Sequence, residues 1–207
     1  MDLKQATNRR NPSQSRSKER VAVILEAVKG LIEDNGIANL KISDIAKRAN
    51  TSPGSIYQYF SDKETIILSL AEHFMEKIHI IVDQHIQALD TIEDLESVMN
   101  NNFDDIYLLH KNESALRQIW FESVDIELIN LAMLDSSIKA DKIYQSVLKF
   151  ATPKDEVQLK QFILLMSIQF SSVMRLCFSS DAGTPEQFKK IYVDTVTLGI
   201  TKYIDLK

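Results

Sequence analysis

The residues whose types and spacing best suit binding chemistry lie in one short segment, residues 41–60, which reads KISDIAKRANTSPGSIYQYF. Its second half carries closely spaced serine and tyrosine hydroxyls, and such hydroxyls contact phosphate oxygens more often than base edges. A lysine follows at position 63, where its charge would add to the attraction for phosphate. Such side chains can contact a phosphate backbone if the fold presents them on one side.

Two short helices, expected at about 43–49 and 53–59, must position these hydroxyls. Asn50 lies where the turn between the helices requires a positive φ, which asparagine tolerates better than most residues. Ser52 is placed to cap the second helix, and Pro53 suits its first turn. This spacing predicts a helix-turn-helix whose second helix can enter a major groove.

The apolar residues of the segment predict which side of the second helix faces outward. The first helix has a small apolar surface made of Ile45, Ala46 and Ala49, and the small Ala46 lets the two helix axes approach closely. On the second helix, we expect Ile56 and Phe60 to point inward. Three hydroxyl-bearing side chains are then left for the outer side: Ser55, Tyr57 and Tyr59.

The segment resembles the signature of the TetR family of transcriptional regulators. That pattern runs IA, AGVS, GTLYxYF and KE, and this chain has IA at 45–46, ANTS at 49–52, GSIYQYF at 54–60 and KE at 63–64. The resemblance covers about residues 17–70. Three positions depart from the pattern: Asn50 replaces a glycine, Thr51 a valine, and Lys41 a threonine that commonly caps the first of the two helices, a loss of about 1 kcal/mol.

The resemblance implies roles for individual residues. Ser55 and Tyr57 would contact DNA, while Gln58 and Tyr59 occupy positions that vary with the operator. Lys63 would meet a phosphate at the start of the next helix, where the helix N-terminus already favours an anion. The predicted DNA-binding set comprises Lys41, Ser43, Ser52, Pro53, Gly54, Ser55, Tyr57, Gln58, Tyr59 and Lys63.

The whole chain reads as all-α, because it has only five glycines and four prolines and almost no alternation of apolar residues at period two. Besides the two short helices, we expect helices at about 17–35, 62–89, 92–110, 113–123, 125–150, 153–179 and 185–205. Three starts are marked: Ser61 with Glu64 forms a capping box, and Thr152-Pro153 and Thr184-Pro185 each read as an N-cap followed by proline.

We expect three regions: a flexible basic arm at 1–16, a helix-turn-helix domain at 17–63, and a helical ligand-binding and dimerisation domain at 64–207. Residues 1–63 hold 11 Lys and Arg against 7 Asp and Glu, although the whole chain has a net charge of −5. This polarity suits a chain whose first part meets phosphate. Two interpretations of the arm stay open: a solvated tail, or a minor-groove contact through Arg9, Arg10 and Arg16.

The final helices predict a homodimer, since both are apolar on more than one side; in the family they form a four-helix bundle with the partner. By the same resemblance, residues 90–178 would hold a pocket for an apolar or amphipathic effector. For each candidate lining residue, packing in an ordinary core is the alternative interpretation. The candidates are Tyr107, His110, Arg117, Trp120, Phe121, Met133, Tyr144, Phe170 and Met174. The DNA partner would be a near-palindromic double-stranded operator.

Other classes of function are less well supported. No signal peptide is apparent, the apolar run at 162–174 is too short to span a membrane, and the single cysteine, Cys177, cannot form an internal disulfide, so we expect a cytoplasmic protein without a membrane partner. We find no catalytic motif, and expect no enzyme, metal or cofactor. Three alternatives stay open: a metal on the line Glu72, Glu76, His79 and Asp83; a helix-turn-helix protein without a ligand; and an activator rather than a repressor.

Overall fold

The computed structural model describes residues 12–123, 125–179 and 181–207, and these are almost entirely helical, which confirms the all-α prediction. Arg9 and Arg10 lie outside the described residues, and the exposed Arg16 belongs to the first helix. The helices are α1 (Pro12–Asn35), α2 (Ile42–Arg48), α3 (Pro53–Ile56), α4 (Lys63–Ile86), α5 (Asp94–Asn112), α6 (Ser114–Arg117), α7 (Ile126–Val147), α8 (Glu156–Ser179) and α9 (Pro185–Ile200). A turn of π-helix, Gln118–Glu122, extends α6.

Two short strands correct the predicted helix bounds near the end of the chain. β1 (Ala151–Pro153) pairs antiparallel with β2 (Ile204–Leu206), so Thr152-Pro153 does not begin a helix and the last helix ends before 205. Pro153 is tolerated because it stands at the end of a two-stranded sheet, where its missing N–H removes no ladder bond. The start of α8 is stabilised instead by Asp155, whose carboxylate accepts a hydrogen bond from the Gln158 N–H at 2.9 Å.

The predicted cap of α4 is also wrong by one residue. Asp62, not Ser61, accepts from the Thr65 N–H at 2.7 Å, and the Ser61 hydroxyl donates to the Asp62 carboxylate at 2.8 Å. Both side chains are cap formers, and the carboxylate is the stronger acceptor at a helix N-terminus. At α9 the prediction is confirmed, because Thr184 and Gln187 form a reciprocal capping box.

The chain divides after Leu70 into two compact units. In the first, α1 packs on α2 and α2 packs on α3. The inward sides of these helices are fully buried and aliphatic, as at Ile24, Val28, Ile45 and Ile56. This first unit holds the entire segment for which the sequence predicts DNA contact.

The second unit is a helical bundle in which α8 packs against both α7 and α9. It contains two apolar clusters among its described residues. One gathers around Leu89, Val147 and Leu159 and includes Ile204 of β2. The other lies around Phe103 and Met174, to which α9 contributes Tyr192 and Val196.

Helix α8 has an unusual surface for a helix in a bundle. Within the described part of the chain it is the one helix long and apolar enough to cross a membrane by length and composition, and 17% of the relevant window is buried. The sequence-based expectation counted only the uninterrupted run at 162–174 and therefore understated its length. One such helix is weak evidence for a membrane, and its exposed apolar side equally suits contact with other helices.

The end of α1 depends on a backbone conformation that only glycine adopts readily. Gly36 has φ 82° and ψ 150°, and its N–H donates to the Ile32 carbonyl at 2.9 Å. A side chain in this region of φ and ψ costs about 1–3 kcal/mol.

We therefore predict that Gly36→Ala lowers the free energy of unfolding by about 1–3 kcal/mol. Chemical denaturation monitored by circular dichroism measures the change. Gly54→Ala is the matched control, because a Cβ there meets only the Ser52 hydroxyl at 3.8 Å. Equal stability of the two variants would refute the assignment.

Candidate nucleic-acid interface and aromatic cavity

The turn between α2 and α3 has the geometry that the sequence predicts. Asn50 has φ 49°, and apart from glycine it is the one described residue with a positive φ. After it, the Thr51 N–H donates to the Ala46 carbonyl at 2.9 Å, which closes the turn. Ala46 and Ala49 are 2% and 3% exposed, so their small side chains lie at the contact where α3 approaches. The turn therefore fixes the direction in which α3 leaves α2.

The start of α3 is fixed by a serine cap. The Ser52 hydroxyl accepts from the Ser55 N–H at 3.1 Å, and Pro53 occupies the first turn, as predicted. The helix proper is shorter than the predicted 53–59, because it ends at Ile56. Helix-like turns continue it, with the Phe60 N–H donating to the Ile56 carbonyl at 3.1 Å.

The side chains of this segment divide between inside and outside. Ile56 is fully buried and Phe60 is 5% exposed, whereas Tyr57 and Tyr59 are 55% and 36% exposed. Gln58 is exposed and Ser55 is half-buried. The two apolar residues thus anchor the segment, and the tyrosine hydroxyls are directed toward solvent.

The other residues predicted to contact DNA lie close to these tyrosines in the sequence. Lys41, Ser43, Pro53 and Gly54 are exposed, and Lys63 is half-buried at the first residue of α4. Lys41 precedes α2 without a side-chain capping bond, as expected where lysine replaces a threonine. Whether these residues contact DNA stays a prediction.

A carboxylate that the sequence analysis overlooked lies next to Lys63. Hydrogen bonds from the Thr65 hydroxyl and N–H and from the Ser61 hydroxyl hold the pKa of Asp62 below its usual range. The group is therefore ionised at neutral pH and occupies the N-terminus of α4. This local negative charge makes the end of α4 itself less favourable for an anion, so the predicted phosphate contact depends on the lysine.

An ion pair holds α2 against α1. Arg48 donates to the Asp34 carboxylate at 2.5 Å, and its guanidinium lies over Gly30, where a Cβ would clash with it. Both charged side chains are largely exposed, so the pair itself adds little stability. The pair joins the end of α2 to α1 at the surface of this unit.

The second unit contains a cavity of about 210 Å³, which we call the aromatic cavity. Five of the predicted effector residues line it: His110, Trp120, Phe121, Phe170 and Met174. Their convergence is a geometric observation, and ligand binding by them stays a prediction.

The other four predicted effector residues lie elsewhere. Tyr107 stacks on Phe178 with the ring centroids 4.9 Å apart, and Arg117 lies over the same ring and donates to the His110 carbonyl. Met133 is 47% exposed, and Tyr144 is buried in the first apolar cluster of the unit.

The cavity lining also includes three charged residues that were not predicted from the sequence: Asp135, Lys139 and Arg175. Asp135 is 6% exposed, yet both its oxygens are paired: one lies 2.5 Å from His79 Nε2 and the other 2.5 Å from Lys139 Nζ. The spacing of Asp135 and Lys139, four residues apart on a predicted helix, was the available signal. Pairing of this kind allows a carboxylate to be buried.

These pairs bear on the metal alternative. His79 is engaged by Asp135, and Asp83 accepts from Lys142 at 2.7 Å. The line Glu72, Glu76, His79 and Asp83 does not converge, since no group of metal-ligand side chains gathers among the described residues.

His110 is a neutral polar group at the cavity wall. It is 5% exposed, and its Nδ1 lies 2.9 Å from the Ile106 carbonyl, so Nδ1–H donates and Nε2 is left as an acceptor. Burial lowers the pKa of His110 to about 4, and the positive charges of Arg117 and Lys139 act in the same direction.

The geometry can be compared with known proteins. The model of the family described as bacterial regulatory proteins, tetR family, matches residues 24–70. The uncharacterized HTH-type transcriptional regulator YvdT of Bacillus subtilis (strain 168) is 29% identical over 104 residues, which is 50% of this chain and 52% of YvdT. The HTH-type transcriptional regulator BetI of Yersinia pestis (strain Pestoides F) is 28% identical over 125 residues, 59% of this chain and 56% of BetI. The chain spans about half the length of these curated relatives.

A solved structure extends the likeness to the fold of both units. The crystal structure of RolR in complex with the ligand resorcinol superposes with a TM-score of 0.65 at 17% identity, covering 90% of this chain and 89% of RolR. At this identity the likeness concerns the fold. It extends the shared all-helical architecture from residues 24–70 to 90% of the chain.

The buried His110 generates a prediction about acid stability. Its pKa is about 4 in the folded chain and near 6.5 when unfolded, so the unfolded state binds the proton first. The contribution of neutral His110 to the free energy of unfolding is complete above pH 6.5. It is lost as pH falls toward 4, by up to about 3 kcal/mol. Urea unfolding of wild type and His110→Gln at pH 7, 5.5 and 4.5 should show the steeper loss in wild type. Parallel profiles would contradict the assignment.

Proposed function

We propose that this helix-turn-helix transcriptional regulator, whose residues 24–70 belong to the TetR family, is a repressor that a small molecule releases from its operator. The observation that carries the proposal is the division of the α3 segment, in which Tyr57 is 55% exposed while Ile56 is fully buried. An exposed aromatic hydroxyl on a segment anchored from inside suits contact with a duplex. The function requires no catalytic group and would be exercised in the cytoplasm.

In the proposed complex, α3 lies in a major groove. Ser55 and Tyr57 contact phosphates and set the register, while Gln58 and Tyr59 lie nearest to base edges. Lys63 adds a full positive charge at the start of α4, and its contact contributes to the salt dependence of binding. Exposure of Tyr57, Gln58 and Tyr59 supports this arrangement.

A homodimer is part of the proposal, because one such segment contacts too few bases for a specific site. Exposed apolar side chains lie on the two final helices: Val157, Leu165 and Leu176 on α8, and Ile191 and Leu198 on α9. Their spacings of 8, 11 and 7 residues return to about the same side of a helix. Because α8 and α9 pack together, their two stripes would form one apolar surface. In the dimer, this surface would pack against the same surface of the partner chain.

The aromatic cavity supports a ligand-responsive protein. It lies in the second unit, apart in sequence from the DNA-contact segment, and apolar and aromatic walls with a few polar groups are typical of small-molecule sites. RolR, which has the same fold, is named with resorcinol as its ligand. In the proposed mechanism, the ligand binds better to the form of the dimer that does not fit the operator, in which its DNA-contact segments no longer match half-sites about 34 Å apart.

The experiment that tests DNA binding begins with fragments that the purified protein selects from its own genome. On such an operator we predict that Tyr57→Ala weakens binding by about 1–2 kcal/mol on all sequences, because it removes a positioning contact. Lys63→Ala should weaken binding and also reduce the slope of log affinity against log salt by about 1 for each half-site. Fluorescence anisotropy at several salt concentrations measures both effects.

The matched control is Lys111→Ala, which removes the same charge from an exposed position on α5 in the second unit. It should leave the salt slope unchanged. If Tyr57→Ala and Lys63→Ala bind operator as wild type does at every salt concentration, the proposed interface is wrong. A reporter gene behind the operator then distinguishes repression from activation.

For the dimer, we predict that Leu198→Glu, at a position 71% exposed in the single chain, raises the dissociation constant by at least about 100-fold, because it buries an unpaired charge at the interface. Sedimentation velocity over a concentration series measures the change. Leu108→Glu, on an equally apolar and 53% exposed position of α5, is the control and should stay dimeric. A wild-type monomer, or an unaffected Leu198→Glu dimer, would exclude this interface.

A further inference from the structure

The size of the aromatic cavity suits one small ring. Its volume is about 210 Å³, somewhat above the roughly 150 Å³ at which an apolar cavity in a protein takes up benzene. One aromatic ring with a small substituent therefore fits inside it. The walls suit a ring, because Trp120, Phe121 and Phe170 supply aromatic surface.

The cavity lining brings one positive charge that no carboxylate compensates. Arg175 lines the cavity, donates to the Trp120 carbonyl at 3.1 Å and lies over the Phe121 ring. No carboxylate pairs with it among the described residues. The Nε1 atom of Trp120 is fully buried and is therefore not accessible from the cavity.

Acceptors in the cavity are mostly engaged. Asp135 has one oxygen bound by His79 and the other by Lys139, so its charge is already compensated. The other side-chain acceptors of the lining are uncharged: the Nε2 of neutral His110 and the hydroxyls of Ser171 and Ser172. A cationic ligand would therefore find no free carboxylate, whereas an anionic one would meet the guanidinium of Arg175.

We infer that the aromatic cavity binds a single-ring aromatic ligand carrying a carboxylate or comparable anionic acceptor, with the ring among Phe121 and Phe170 and the acceptor toward Arg175. This inference rests on the proposed function, since it names the chemical class of the effector. It also assigns Arg175 to ligand selection, a role that sequence reasoning did not give it.

The chain offers a direct readout, because Trp120 is its only tryptophan. Titrations of full-length protein with benzoate, benzamide and benzamidine compare three ligands of the same shape and of negative, zero and positive charge. We expect benzoate to change the tryptophan emission saturably and to bind at least about tenfold more tightly than benzamidine, with benzamide between them. Calorimetry provides the affinities independently of the fluorophore.

Two variants test the assigned contacts. Arg175→Gln should weaken benzoate binding by about tenfold and leave benzamide nearly unaffected, and Arg175→Lys should restore part of the loss. Lys111→Gln is the control, because it removes a positive charge from α5 outside the cavity lining. Arg175 is exposed, so its replacement should not impair folding, which circular dichroism checks.

Several outcomes would overturn the inference. These are benzamidine binding as tightly as benzoate, benzoate binding unchanged in Arg175→Gln, or no binding of any of the three up to millimolar concentration. The operator assay without ligand is run on the same preparation. A protein that binds operator but none of the probes refutes the ligand class alone, whereas one that binds benzoate but no DNA refutes the proposed function alone.

Discussion

The close approach of α2 and α3 across one left-handed residue is the constraint on which the exposed side of the α3 segment depends. Asn50, with φ 49°, reverses the chain, and the nearly buried Ala46 and Ala49 leave room for α3 to come close. Only then can Ile56 fill the interior while Tyr57, the next residue, stays in solvent. A larger side chain at position 46 would separate the helices and turn the tyrosine away. The small side chains of Ala46 and Ala49 are therefore what allow Tyr57 to face solvent.

In the second unit, a charged side chain is buried at the wall of a cavity. Asp135 is tolerated inside because His79 and Lys139 engage both its oxygens. That arrangement compensates the one carboxylate of the cavity lining and leaves Arg175 without a carboxylate partner among the described residues. If a ring binds there as proposed, the polar groups would supply the selectivity that an apolar lining lacks.

Local chemistry explains how far the sequence could predict these features. The turn at Asn50, the Ser52 cap and the inward Ile56 depend on neighbours within a few residues, and each was predicted. Helix ends were less accurate where two cap formers adjoin, or where a distant strand pairs, as β2 does with Pro153. The cavity was half predicted: its aromatic residues were identifiable by type, but Arg175 and Asp135 lie on different helices and no local pattern brings them together. Local sequence patterns do not predict contacts between segments that are distant in the sequence.

Gly30 shows how a bare backbone position makes room for a side chain from a neighbouring helix. The Arg48 guanidinium rests over the bare backbone at Gly30 on its way to Asp34. A side chain at position 30 would displace only the end of this arginine, which is flexible and largely exposed, so the loss of the ion pair would cost little stability. Replacement of this buried glycine should therefore be tolerated, because the arginine can move aside into solvent.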